Sequence, residues 1–204
     1  MVVHAPTGKI MDKFHEYVKP RFNPILSKFC TELTGITQAM VQDGRQIEEV
    51  LIDVERWFSK LPYIREDNFT FVTCGDWDLS SCLKNEARQK RLAVRPFLRA
   101  YINIKKYFDV VMKNEKRVSG MMEMLQVLGI KHEGKHHSGI DDVLNICNIC
   151  VELVRKHGAT FPVKEVNRVK YYVPAEPDIE YLLVLDFEAT CIKDSKIQPC
   201  PEII

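Results

Sequence analysis

"YLLVLDFEAT", residues 181–190, is an apolar run that ends in two carboxylates one residue apart. Its apolar residues are continuous rather than alternating, which fits a strand covered on both faces of a sheet. Residues i and i+2 of a strand share a face, so Asp186 and Glu188 point one way and Phe187 the other. Two carboxylates at the end of a buried strand are costly unless a cation lies between them, and hard Mg²⁺ or Mn²⁺ suits such oxygen donors. For an isolated D-x-E, acids hydrated where the strand runs out into solvent are the plainer explanation. The partners of this strand therefore decide the reading.

Two further clusters supply them. In "TCGDWDL" (73–79) a strand ends at Gly75 and presents Asp76 and Asp78 around Trp77. In "KHHSGIDD" (135–142) His137 stands five residues before Asp142, and His136 five before Asp141, so spacing alone leaves the register open. Taken singly these are an acidic turn and a helix whose first-turn acids complement its dipole. Together they give four acids and a histidine, the inventory for two-metal hydrolysis of a phosphodiester. A histidine near neutral pKa can take the proton from the attacking water.

Around these clusters the chain reads as alternating helices and strands. "DKFHEYVKP" (12–20) alternates as a half-buried strand would, with Pro20 ending it, and "FTFVTCG" (69–75) is rich in β-branched and aromatic residues. "RQIEEVLIDVERWFSKL" (45–61) places Ile47, Val50, Leu51, Val54 and Phe58 on one helical stripe. "RVSGMMEMLQVLGI" (117–130) predicts a short helix stopped at Gly129, and 138–158 a long one with Ser138 as cap and Gly158 as stop. Residues 159–180 hold three prolines and read as a connector, with a short strand at 169–173. The expected organisation is one domain over 1–204: a body at 1–158, the connector, and a last segment at 181–204. The fold class is α/β, with a sheet covered on both faces.

The 204 residues are 46% hydrophobic and 28% charged, ordinary for a globular chain and unlike a disordered one. No apolar run is long enough to span a membrane and no secretory leader is visible, so no membrane partner is expected. Seven cysteines without a framework spacing suit free thiols, and hence an intracellular protein, cytoplasmic or nuclear. Cys147 and Cys150 lie one helical turn apart with no second ligand pair to match them, which makes them core residues. From Lys84 to Arg117 eleven basic residues face three acidic ones. By charge alone this is a solvated helical face, and the aromatics within it (Phe97, Tyr101, Tyr107, Phe108) are core rather than stacking platforms.

"LDFEAT" (185–190), "TCGDWDL" and "HHSGIDD" resemble the three motifs of the DEDDh 3′–5′ exonucleases, in particular the enhanced-RNAi and histone-mRNA 3′-end exoribonuclease group. "CTELTGITQAMV" (30–41), "YINIKKYF" (101–108) and "PCPEII" (199–204) extend the resemblance to nearly the whole chain outside the connector. It implies an RNase H-like mixed sheet flanked by helices and a metal-dependent 3′–5′ exonuclease acting on single-stranded RNA or RNA 3′ ends. Asp186, Glu188, Asp78 and Asp142 would hold two Mg²⁺ or Mn²⁺ ions, and His137 would be the general base. Trp77, Phe187 and Ile36 resemble the residues that cradle the terminal nucleotide, and the basic stretch becomes a candidate for holding the RNA backbone.

The motif order departs from the family, whose first motif here comes last. The domain is therefore expected to be circularly permuted, a few residues of one strand being absent where the cut falls. A monomer closed on itself, with Met1 and Ile204 meeting in one strand position, is the expectation; a domain-swapped dimer is the alternative. The rival functional readings are a catalytically silent RNA-binding or adaptor domain, and a fragment of a tandem array that needs a second copy to complete its site.

Overall fold

The computed structural model describes residues 1–65, 68–114, 116–161, 179–193 and 201–204. Most of the connector, the strand expected at 169–173 and Cys200 lie outside the described residues.

Among the described residues five strands form one mixed sheet: β1 (Val2–His4), β2 (Lys9–Asp12), β3 (Phe69–Thr73), β4 (Tyr101–Asn103) and β5 (Tyr181–Val184), in the order β2-β1-β5-β3-β4. The last of the described strands, β5, is thus the middle strand of the sheet. β5 runs parallel to β3, with Phe71 opposite Leu183, and antiparallel to β1, with Val3 opposite Leu182. Alternate residues of the central strands enter opposite cores. Val3, Val72, Ile102, Leu182 and Val184 face one side, and Val2, Phe71, Tyr101, Tyr181 and Leu183 the other. This two-sided burial explains why 181–184 is continuously apolar.

The first side is covered by α5 (Ile104–Met112), α6 (Met121–Leu128) and α7 (Gly139–His157), and the second by α3 (Ile47–Ser59) and α4 (Leu83–Lys90). α1 (Lys28–Thr34) and α2 (Gln38–Gln42) form a small separate cluster through Cys30 and Val41. The expected stripe of α3 packs inward, α6 stops at Gly129 in the left-handed region, and α7 stops at Gly158 in the same way. Ser138 holds the N-cap position of α7 without a capping hydrogen bond from its side chain. Cys147 and Cys150 are buried in the first core, as expected. The six described cysteines are all free thiols. Among the described residues no helix is long and apolar enough to cross a membrane.

Three expectations need correction. The strand predicted over 12–20 is instead β2 at Lys9–Asp12, and beyond it only Val18 forms an isolated bridge, to Arg45. Phe14 packs its ring on Trp57, centroids 5.6 Å apart, so its apolar side chain serves loop packing rather than a ladder. The strand read over 181–190 keeps regular pairing only to Val184. Finally, Met1 and Ile204 flank a strand position rather than meet in one. The Met1 amino group donates to Val184 O at 2.8 Å, and the Ile204 N–H donates to Glu188 O at 3.0 Å. Among the described residues no antiparallel neighbour pairs with Leu185, Asp186 or Phe187, and the pairing resumes at Ile203, bridged to Ala189.

The segment at 201–204 is bolted down from below. Lys90 Nζ lies 2.5 Å from Glu86 Oε1 and 2.7 Å from Glu202 Oε1, and all three side chains are fully buried. Glu202 also accepts backbone N–H groups from Arg21, Phe22 and Asn23. Burial works to raise its pKa, but Lys90 and these amides outweigh it and hold the carboxyl below its ordinary value. Lys90 is therefore an internal brace, and the basic run 84–117 is not one continuous solvent face.

Candidate active site

Past Val184 the chain stays extended, held on one side by the Leu185 N–H donating to Val72 O at 3.0 Å. That delivers Asp186 and Glu188 to the rim of a cleft of about 590 Å³, which Asp78, Asp142, His136, His137, Trp77 and Lys105 also line. One carboxylate oxygen each from Asp142, Asp186 and Glu188 lie within 4.8 Å of one another. Asp78 stands beside this set, tied to it by the backbone: the Phe187 N–H donates to Asp78 Oδ1 at 3.0 Å.

Local sequence explains how each acid arrives. Gly75, with φ +129, makes the turn after β3 that only glycine adopts readily, and Thr73 Oγ1 donates across it to Gly75 O at 2.6 Å. The chain then enters a π-helical turn, Asp78–Cys82, that buries Asp78. Asp76 faces away, accepting from Tyr101 Oη at 3.0 Å and Lys106 Nζ at 2.7 Å, which makes it a structural neighbour of the site. At the third motif Asp142 is buried in the first turn of α7 and accepts the His137 N–H at 3.0 Å, while Asp141 Oδ2 accepts the Lys135 N–H at 2.9 Å. Asp141 thus shapes the loop, and Asp142 enters the site.

Both histidines reach the cleft. His136 Nδ1 lies 3.2 Å from Asp142 Oδ1, and its ring stacks on His137 with centroids 3.9 Å apart. His137 takes a left-handed backbone, φ +67. Burial, then the neighbouring His136, lowers its pKa, so the ring is neutral at physiological pH and able to accept a proton.

The acids repel one another in a poorly solvated place. Burial, then the charges of Asp78, Glu188 and Asp142, pushes Asp186 well above the ordinary carboxylate range. Burial, then Asp142 and Asp78, pushes Glu188 up to about 8, and burial raises Asp78 as well. Clustered carboxylates with raised pKa values are the donor set expected around a divalent cation, whose charge reverses the repulsion.

The three expected substrate contacts separate. Trp77, 44% exposed, and half-buried Phe187 both line the cleft. Ile36 is only 8% exposed and lines a neighbouring apolar cavity of about 400 Å³ instead. Its loop is fixed by Gly35, φ +83, over which the Lys135 side chain passes to donate to Glu32 O at 3.0 Å. Lys105, one of the basic run 84–117, lines the cleft wall, whereas sequence reasoning missed Cys74 in that wall and the Glu202 brace. Only the Glu86–Lys90 spacing of four on a helix hinted at the last.

The family profile described as "RNase_T: Exonuclease" matches residues 2–150. The chain belongs to this exonuclease family. It is 40% identical to "ERI1 exoribonuclease 3" of Homo sapiens over 148 residues, 72% of this chain and 44% of the relative. With "ERI1 exoribonuclease 2" of Mus musculus it shares 33% identity over 184 residues, 83% of this chain and 26% of the relative. The chain therefore spans between about a quarter and just under half the length of these relatives. Among solved structures, the nuclease domain of 3′hExo, a DEDDh family member bound to rAMP, superposes with a TM-score of 0.71 at 33% identity, covering 75% of this chain and 76% of that one. The family uses divalent metal ions, and the Asp142, Asp186 and Glu188 oxygens fit one. The fold is the expected RNase H-like mixed sheet.

Proposed function

We propose that this chain is a 3′–5′ exoribonuclease that hydrolyses the terminal phosphodiester of single-stranded RNA. The observation that carries the reading is the convergence of Asp142, Asp186 and Glu188 within 4.8 Å in one chain, although they come from two separate motifs with the connector between them. Support also comes from the solved relative whose description reads "3′-end specific recognition of histone mRNA stem-loop by 3′-exonuclease", TM-score 0.74 at 26% identity, covering 97% of this chain and 64% of that one.

Asp186, Glu188, Asp78 and Asp142 would hold two Mg²⁺ or Mn²⁺ ions. Such ions, when bound, lower the pKa of a coordinated water and stabilise charge on the leaving oxygen. His137, neutral and at the cleft edge, accepts the proton of the attacking water. Asp142 orients that loop by accepting the His137 N–H. Trp77 and Phe187 offer apolar faces to the terminal base and sugar, and Lys105 places a cation in the cleft wall for phosphate. The protein acts as a monomer in this scheme.

The test is digestion of single-stranded RNA labelled at either end, in Mg²⁺ and in EDTA. Release of labelled mononucleotide from the 3′ end, in Mg²⁺ only and lost in Asp186→Asn, is expected. Unchanged hydrolysis in Asp186→Asn, or dimers whose activity vanishes on dilution, would overturn the corresponding parts of the proposal.

A further inference from the structure

Next to the catalytic carboxylates, the loop before α7 gathers a second set of donors. One ring nitrogen of His132, one of His136 and a carboxylate oxygen of Asp142 lie within 4.8 Å of one another. His136 Nδ1 is 3.2 Å from Asp142 Oδ1, and the His132 and His136 rings meet edge to face with centroids 6.1 Å apart. His132 Nε2 is buried, and no described donor or acceptor reaches it. A buried polar atom left unpaired costs about 1–3 kcal/mol, so its presence asks for a partner that is not another side chain.

The loop that carries these rings is held firmly. Asn145 Oδ1 accepts the Glu133 N–H at 3.0 Å, and Asn145 Nδ2 donates to Glu133 O and Asp141 O, each at 2.8 Å. His132 and His136 are thus presented from a loop whose backbone is pinned to α7 on both sides of Gly134. Neither ring has a role in the exonuclease scheme.

We propose that His132, His136 and Asp142 form a Zn²⁺ site adjoining the catalytic centre, and that Zn²⁺ bound there withdraws Asp142 from the catalytic carboxylates. Two imidazoles and one carboxylate are a donor set that Zn²⁺ takes and that Mg²⁺, which prefers oxygen throughout, does not. Tetrahedral Zn²⁺ with bonds of about 2.0–2.1 Å sets its ligand atoms about 3.3 Å apart, and the His136–Asp142 contact already has that spacing. His136 and Asp142 both line the cleft, so the fourth position opens to water. Asp142 belongs to both sets of donors. A carboxylate oxygen committed to Zn²⁺ beside two imidazoles is lost to the pair Asp186 and Glu188. His136, drawn to the ion, also carries its stacked neighbour His137 away from the attacking water. The inhibitory consequence rests on the exonuclease reading; the binding does not.

Zn²⁺ bound per chain is counted by equilibrium dialysis in excess Mg²⁺ for the wild type, His132→Phe and His132→Gln. Hydrolysis of labelled RNA is followed in the same buffers. The wild type is expected to hold one Zn²⁺ that both variants bind about tenfold more weakly or worse. The Zn²⁺ concentration that halves hydrolysis should rise by the same factor, while the rate in Mg²⁺ alone stays unchanged and reports that the variants fold. Equal Zn²⁺ uptake and equal inhibition in the wild type and His132→Gln overturn the site. If RNA is not hydrolysed in Mg²⁺ alone, the exonuclease reading fails, and the Zn²⁺ count still decides this one.

Discussion

Replacing Glu188 by Gln should stabilise the metal-free protein at high pH while abolishing its response to Mg²⁺. The Glu188 carboxyl is raised from an ordinary 4.5 to about 8 by burial and by Asp142 and Asp78. Below about pH 4.5 the group is protonated folded or unfolded, and it contributes no difference. Above that the unfolded chain ionises and the folded one resists, so stability falls as pH rises and the full loss is reached near pH 8. At about 1.36 kcal/mol per pH unit the ceiling is about 5 kcal/mol, and solvent at the cleft reduces this to about 2–3 kcal/mol. For a chain of this size that corresponds to a Tm higher by about 4–12 °C in Glu188→Gln than in the wild type at pH 9 in EDTA, and to no difference at pH 4. Thermal melts across this range, with EDTA and then with Mg²⁺, give the comparison. Mg²⁺ should raise the wild-type Tm and barely move that of the variant. Parallel pH profiles for the two proteins in EDTA would refute the account of a repelling carboxylate cluster.

Lys90→Met leaves Glu86 and Glu202 buried without their shared cation, and should cost about 3–5 kcal/mol in urea unfolding with the denaturant slope unchanged. His137→Ala should lower kcat by about 10²–10⁴ with Mn²⁺ affinity retained; near wild-type turnover would move the general base to His136. Gly35→Ala places a Cβ 3.1 Å from Lys135 Nζ at a φ of +83, and should cost about 1–2 kcal/mol by thermal melt.

Much of the architecture was readable because period and punctuation agreed. The α3 stripe, the β-branched run of β3, and the glycine stops at Gly129 and Gly158 each rest on local chemistry that tertiary packing reinforced. The strand expected at 12–20 failed because alternation records which side chains are buried, not what buries them, and Phe14 is covered by Trp57. Charge counting placed Lys90 on a basic face, because its second partner, Glu202, is remote in sequence and meets it only in the folded sheet. At the site, motif resemblance singled out Asp186, Glu188 and Asp142, and the fold brings their carboxylate oxygens together. The Phe187 N–H that secures Asp78 was not, since a backbone donor leaves no trace in residue types. Spacing could not choose between His136 and His137. The folded loop uses both, one through its ring and one through its backbone, against a single carboxylate.

The strand beginning at Tyr181 is flanked on its antiparallel side by two short pieces from opposite ends of the chain, Met1–His4 and 202–204. It works as a splint, aligning two separate lengths along one template, as a complementary strand aligns the ends of a nick. Among the described residues the interruption lies opposite Leu185, Asp186 and Phe187, so the splint is least supported where the first carboxylate of the cleft projects. Assembly of the site is thereby coupled to capture of both pieces. Loosening either should first be felt as a change in the spacing of Asp186 and Glu188, before the helices on either face give way.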